Sequence, residues 1–129
     1  MSRTIPVEEL ARAVAEELES YRQEVTDGVK DSVRQVSREC LAEIRAGSPR
    51  KSGRYRRGWR AEVSYESAED LRITVRNRTS YQLTHLLEHG HVNVLTGGRT
   101  EGIPHIRPAE QHAAEKLERR VKVVVKGDG

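Results

Sequence analysis

Phenylalanine is absent from this 129-residue chain, tryptophan and cysteine occur once each, and the longest apolar runs, such as Val123–Val125, reach only three residues. Each shortage excludes something. A lone Cys40 cannot form an intramolecular disulfide, so the sequence carries no sign of an oxidising compartment; at an apolar helical position it reads as a core thiol rather than a nucleophile. Without a long apolar run the chain is expected to have neither a signal peptide nor a membrane span. Aromatic residues make up 4% of the chain, against 33% charged. Nine Leu, five Ile and 14 Val suffice for one modest core, hence a single domain over 1–129. A domain this lean is expected to complete its burial by assembling with copies of itself.

What is present begins with a long stripe. Val7, Leu10, Val14, Leu18, Tyr21, Val25, Val29, Val33, Val36, Cys40 and Ile44 recur at the spacing of one helix face, predicting a helix over 6–46. Pro6 suits a first turn, and Gly47-Ser48-Pro49 supplies a stop. Such a helix is ~60 Å long at 1.5 Å per residue, more than one small domain can cover. Either it kinks near Gly28 into two helices that fold back, or it projects towards neighbouring copies.

The charges are segregated. Residues 1–44 carry −4, residues 45–60 carry +7, residues 61–110 carry −2 and residues 111–129 carry +2, within a net +3. The cationic stretch contains Gly47, Pro49, Gly53 and Gly58, so 47–58 reads as a basic loop. Beyond it, Trp59, Ala61, Val63 and Tyr65 alternate with polar residues, as do Leu71, Ile73 and Val75. This predicts an antiparallel hairpin with Trp59 and Tyr65 on its core face. Tyr81–His89 reads as a short helical turn closed by Gly90, the hairpin and turn together spanning 59–95 with a short strand at 91–95. Glycines make 96–107 a loop, and Pro108 opens a C-terminal helix over 108–125. The fold class is α+β, with a long N-terminal and a C-terminal helix packed on a small antiparallel sheet.

Three constellations carry chemistry. His85-Leu-Leu-Glu88-His89 matches the H-x-x-E-H spacing of inverted zinc peptidases, but Gly90 ends the helix at once and no further carboxylate ligand is in view. His85, His89, His91 and His105 could form a structural metal site, yet their spacing matches no finger or knuckle. Neither a nucleophile elbow nor a phosphate-binding loop is present, so no catalytic, cofactor or metal residue is assigned and the chain is read as no enzyme. The basic loop is the strongest feature. Arg50, Lys51, Arg54, Arg56, Arg57 and Arg60 could pair with phosphates, with Tyr55 and Trp59 between them, or could meet an acidic protein surface. The second reading is favoured, and a nucleic-acid-binding module is the alternative.

Three stretches in order then carry a resemblance. They are Lys51-Ser-Gly53-Arg-Tyr-Arg-Arg57-Gly-Trp59-Arg, Asn77-Arg-Thr79-Ser-Tyr81 running on to Glu88-His-Gly90, and Pro104-His-Ile-Arg107-Pro108-Ala109. Across 50–115 the chain resembles the phage tail-component family encoded among the head-to-tail connector genes of long-tailed bacteriophages. The resemblance makes Gly53, Trp59, Tyr81, Glu88, Gly90, Pro108 and Ala109 structural motif residues. It implies a virion protein, assembled in the host cytoplasm, that forms a homo-oligomeric ring, expected to be a hexamer, at the head–tail junction. As a neck or tail-completion (tail terminator) component it would touch the head-side connector protein and the tail tube protein, with genomic DNA in the lumen and no membrane. His89, His91 and His105 depart from the family pattern around the second and third motifs.

Overall fold

The computed structural model describes residues 6–49, 53–92 and 97–127. It opens with α1, one helix over Val7–Gly47. Glu8 and Glu9 in its first turn and Arg45 in its last oppose the helix dipole with the favourable sign. The Ser48 amide closes the helix on the Arg45 carbonyl, and the Ser48 hydroxyl donates to Ile44 O at 2.6 Å. Helix continues through Gly28, so the two folded-back helices are not formed. An added Cβ at Gly28 would lie 2.6 Å from Val124 Cγ1. The glycine therefore serves close approach of two helices rather than a break.

The second of those helices is α4, Ile106–Lys126, which runs antiparallel to the C-terminal part of α1. Successive contacts mark the direction. Cys40 Sγ lies 3.8 Å from Ala109 O, His112 Nδ1 meets Glu43 at 2.7 Å, Arg120 meets Glu39 at 3.3 Å, and the Tyr21 hydroxyl donates to Val125 O at 3.1 Å. At ~1.5 Å per residue, α4 can cover only about half of α1. Val121–Val125, which would also serve as a strand, is helical because it lies on α1 and ends on Gly127 in the left-handed conformation, φ 75°.

Between the helices in sequence lie one helical turn, α2 (Arg54–Arg57), and an antiparallel pair, β1 (Trp59–Glu66) and β2 (Leu71–Asn77). The register runs from Trp59 opposite Asn77 to Val63 opposite Ile73, then slips so that Tyr65 faces Arg72. The slip is a bulge at Ser64. An extra residue in a period-two strand sends every later side chain to the other face. This overturns the expectation that Tyr65 shares the core with Trp59: Tyr65 is 50% exposed beneath the Arg72 guanidinium, 5.3 Å from its ring centroid. The same slip turns Glu66 towards α1, where it pairs with Lys30 at 3.2 Å and Arg34 at 2.8 Å.

After β2 come a 3-10 turn, Tyr81–Leu83, then α3 (Thr84–His89) and a second antiparallel pair, β3 (Gly90–Val92) with β4 (Arg99–Glu101). The glycine-rich 96–107 segment thus contains a strand where a loop is expected, and 47–58 contains α2. The core is small. Ile44, Tyr55, Trp59 and Ala109 form its centre, with Cys40, Leu41, Val75, Leu87 and Ile106 packed around them. Trp59 and Tyr55 meet edge to face at 5.7 Å. A long helix, a shorter helix and a two-stranded sheet give the expected α+β architecture.

Candidate functional site

The start of α4 is built from a distance. Glu88, the penultimate residue of α3, is 7% exposed. Its Oε1 accepts the backbone N–H of His105 at 2.7 Å and Ile106 at 2.9 Å, and its Oε2 accepts that of Arg107 at 3.0 Å. One carboxylate so occupies the amides that open a 21-residue helix, where the dipole favours negative charge. Burial works to raise its pKa, but the three amides and the adjacent His105 outweigh burial and hold it below the usual carboxylate range. The helix begins at Ile106, two residues before Pro108, because this cap reaches back to His105. Pro108 sits in the first turn, where its missing N–H costs nothing.

His105 is 3% exposed. Its Nδ1 faces Ile103 O at 2.7 Å and Glu88 Oε1 at 3.0 Å, both acceptors, so the ring proton belongs there. Nε2 then accepts from the Tyr55 hydroxyl at 2.6 Å. Burial pushes the Tyr55 phenol up to about 12, keeping it a donor, with Glu88 acting in the same sense. Nearby, Trp59 Nε1 donates to Ser48 Oγ at 3.1 Å. Asn77 donates to Tyr55 O at 2.6 Å while its Oδ1 accepts the amides of Thr79 and Ser80. A polar network thus threads the small core and ties α1, α2, β2, α3 and α4 together.

That network occupies two of the residues in the metal readings. Both Glu88 oxygens are engaged with α4, and both His105 ring nitrogens are engaged within the core. The rings of His85 and His89 lie 4.8 Å apart on the exposed side of α3, beside a cleft of about 420 Å³ that Arg107 and Glu110 also line. Among the described residues no group of three or more His, Cys, Asp or Glu is placed to hold a metal ion. The side chain of His91 lies outside the described residues.

The basic turn closes the other end of α1. Gly53, φ 74°, starts α2 in the left-handed region that glycine adopts at least cost. Gly58 admits the Thr79 hydroxyl and the Asn77 amide where a Cβ would stand. The cations then divide. Arg56 donates to Ala46 O at 3.1 Å and Ser48 O at 3.2 Å, and Arg45 to Trp59 O at 2.6 Å, so both serve the end of α1. Arg54, Arg57 and Arg60 are exposed. Arg60 reaches the carbonyls of Arg57 and Trp59 and stands directly across the sheet from Arg76, whose guanidinium is paired with Glu62 at 2.9 Å. Arg50 and Lys51 lie outside the described residues. Tyr55 and Trp59 are buried, which removes them as stacking platforms for bases.

Of the remaining motif residues, those with described side chains lie within the packed structure. Trp59 is 3% exposed and Ala109 fully buried, facing α1. Gly90 has φ 81°, and the turn that begins at Tyr81 leads into the capping helix α3. Glu88 as a cap and Gly102, whose added Cβ would meet the Glu88 carbonyl at 2.5 Å, are structural residues whose partners lie far off in sequence.

Among the described residues, one exposed surface is an apolar stripe. Val7, Leu10, Val14, Leu18 and Tyr21 continue the face of α1 that α4 covers further along, yet each is at least half exposed, Val7 at 76%. Seven carboxylates and two arginines accompany this stretch over residues 7–27. Such a stripe marks a contact surface. A comparison with family models matches residues 12–90 to the bacteriophage HK97-gp10 tail-component family, taking in most of α1 and ending at Gly90, so the Pro104–Ala109 motif falls outside the match. No curated protein and no solved structure matches the chain.

Proposed function

The chain belongs to the bacteriophage HK97-gp10 tail-component family, and from that premise we propose that it is a ring-forming neck or tail-completion component, of the tail-terminator type, at the head–tail junction. As a member of a tail-component family it is a structural protein of the phage virion. No described helix is long and apolar enough to cross a membrane. The observation that carries the finer reading is the uncovered half of α1: a protomer that leaves five large apolar side chains in water is unfinished until something covers them.

In this reading the work is mechanical, with no bond made or broken. Copies close into a ring, expected to be a hexamer; one face docks the head-side connector protein, the other the tail tube protein, and genomic DNA passes through the lumen. The polar core network supports such a role by fixing helices and hairpins in one rigid arrangement. Burial of Tyr55 and Trp59 weighs against the nucleic-acid-binding alternative, since it leaves the basic turn charge without stacking.

The test is the absolute mass of the purified chain by light scattering at low and high salt, with nucleic-acid absorbance followed in the same run. A discrete closed oligomer free of nucleic acid is expected. A monomer that carries nucleic acid at low salt and sheds it at high salt would overturn the reading in favour of the binding module.

A further inference from the structure

Two ends of the protomer are complementary. At one end, α1 projects beyond the reach of α4 with the apolar stripe Val7–Tyr21, and Glu8, Glu9, Glu16 and Glu17 find no cationic partner among the described residues. At the other end, past Gly47, lies the α2 turn. Arg57 and Arg60 are exposed there, and among the described residues neither pairs with a carboxylate. Leu83 and Leu86, in the 3-10 turn and the α3 helix that follow β2, are 44% and 40% exposed. The segment that carries them is tied to α2 by the Thr79 hydroxyl, which donates to Arg54 O at 3.2 Å, and by the contact of Thr84 with the Tyr55 hydroxyl. Ile103 is also half exposed, and its amide donates to Leu87 O at 2.8 Å at the end of α3.

We propose that the projecting N-terminal half of α1 docks on the basic turn of a second copy of this chain, head to tail, with its stripe on Leu83, Leu86 and Ile103 and its carboxylates facing Arg57 and Arg60. Three arguments select this occupant. The chain supplies both halves of the match: apolar flanked by acid at one end, apolar flanked by base at the other. The two ends lie ~40 Å apart along α1, at 1.5 Å per residue from Tyr21 to Gly47, so one protomer cannot satisfy itself. Two different patches meeting make a heterologous interface, which generates a ring where the rotation between copies closes. The inference rests on the self-assembly reading above and names the surfaces through which it operates.

Charge reversal on the full-length chain tests it. One variant carries Glu16→Lys with Glu17→Lys, and a second carries Arg57→Glu with Arg60→Glu. Tryptophan emission and circular dichroism establish that each is folded, and light scattering across a concentration series reads its mass. Each variant alone is expected to raise the concentration at which the assembly dissociates by more than about tenfold, because like charges then meet. An equimolar mixture is expected to reassemble to the wild-type mass, since the reversed helix of one variant meets the reversed turn of the other. Restoration by mixing distinguishes this interface from a symmetric helix-on-helix pair, which predicts that the Arg57/Arg60 variant retains wild-type mass. Wild-type oligomers whose mass neither variant changes overturn the docking inference and leave the self-assembly reading intact. A wild-type monomer at every concentration and salt overturns both. Loss of bound nucleic acid from the Arg57/Arg60 variant with no change of mass assigns the turn to nucleic acid and overturns the inference.

Discussion

Glu88 is the residue whose removal tests the architecture most sharply. Truncation by Glu88→Ala strips three amides of their acceptor, one of them the His105 N–H, which sits in the core. Loss of a helix cap costs ~0.5–2 kcal/mol, and stranding a buried donor adds ~1–3 kcal/mol, so the expected loss is about 3 kcal/mol. Glu88→Gln keeps one carbonyl oxygen but gives up the charge against the helix dipole and sets an NH2 towards the remaining amide, for about 1–2 kcal/mol. Urea unfolding at fixed protein concentration, followed by Trp59 emission, measures both. The pH dependence follows from the sign of the shift. The folded-state pKa of Glu88 lies below its unfolded value. Its contribution is therefore complete above the ordinary carboxylate pKa, ~4.3, and disappears as pH falls through the lower folded value. Wild type should thus lose its margin over Glu88→Gln in acid. The reasoning fails if Glu88→Ala stays within ~0.5 kcal/mol of wild type, or if the margin over Gln is the same at pH 7 and pH 3.

Gly28→Ala drives a methyl into Val124 and should cost about 1–3 kcal/mol by overpacking despite the better helix former. Val124→Ala in the same chain should recover most of it, and a double-mutant cycle that shows no coupling would refute the close approach. Tyr55→Phe removes the donor to His105 Nε2 and should cost about 1–2 kcal/mol in the same urea assay, with no loss if the hydroxyl does not matter to the imidazole. Gly102→Ala meets backbone rather than a mobile side chain, so its cost should exceed that of Gly28→Ala, and no neighbouring side-chain truncation should rescue it. Trp59→Phe gives up the bond to Ser48 and should cost about 1–2 kcal/mol by thermal or urea unfolding followed by circular dichroism.

Periodicity carried much of the fold. The apolar spacing of α1 is a local property and reads directly, as do the hairpin alternation and the stop at Gly47-Ser48-Pro49. What covers α1 is not local. The spacing of Val7, Leu10 and Val14 is the same whether a helix lies on it or nothing does, and only the mismatch in length between the first and last helices hints at the uncovered part. The bulge at Ser64 has no glycine or proline to announce it, so Tyr65 reads as an inward residue until pairing across the sheet is seen. Arg99–Glu101 looks like loop because its glycine neighbours dominate, while its strand state is set by pairing with Gly90–Val92. The structural motif residues were legible as a set, but their roles were not. Nothing in His85-Leu-Leu-Glu88-His89 signals that its glutamate caps a helix 17 residues later in the chain. The cations of 45–60 were legible as a cluster, whereas the division between those spent on carbonyls and those facing solvent depends on where α1 ends.

The projecting half of α1 also has a thermodynamic side. A helix of 12 residues is marginal in water on its own, and every residue of this one is exposed over Val7–Leu18. It is spared the cost of nucleation only because it grows from the turns anchored by α4. Amide exchange in the free protomer should therefore slow progressively from Val7 towards Gly28, like a rope fraying at its loose end. Whatever engages that end must first still it, so part of the contact energy is spent on ordering. A premature encounter between two copies would then be brief, and one held by many contacts at once would last.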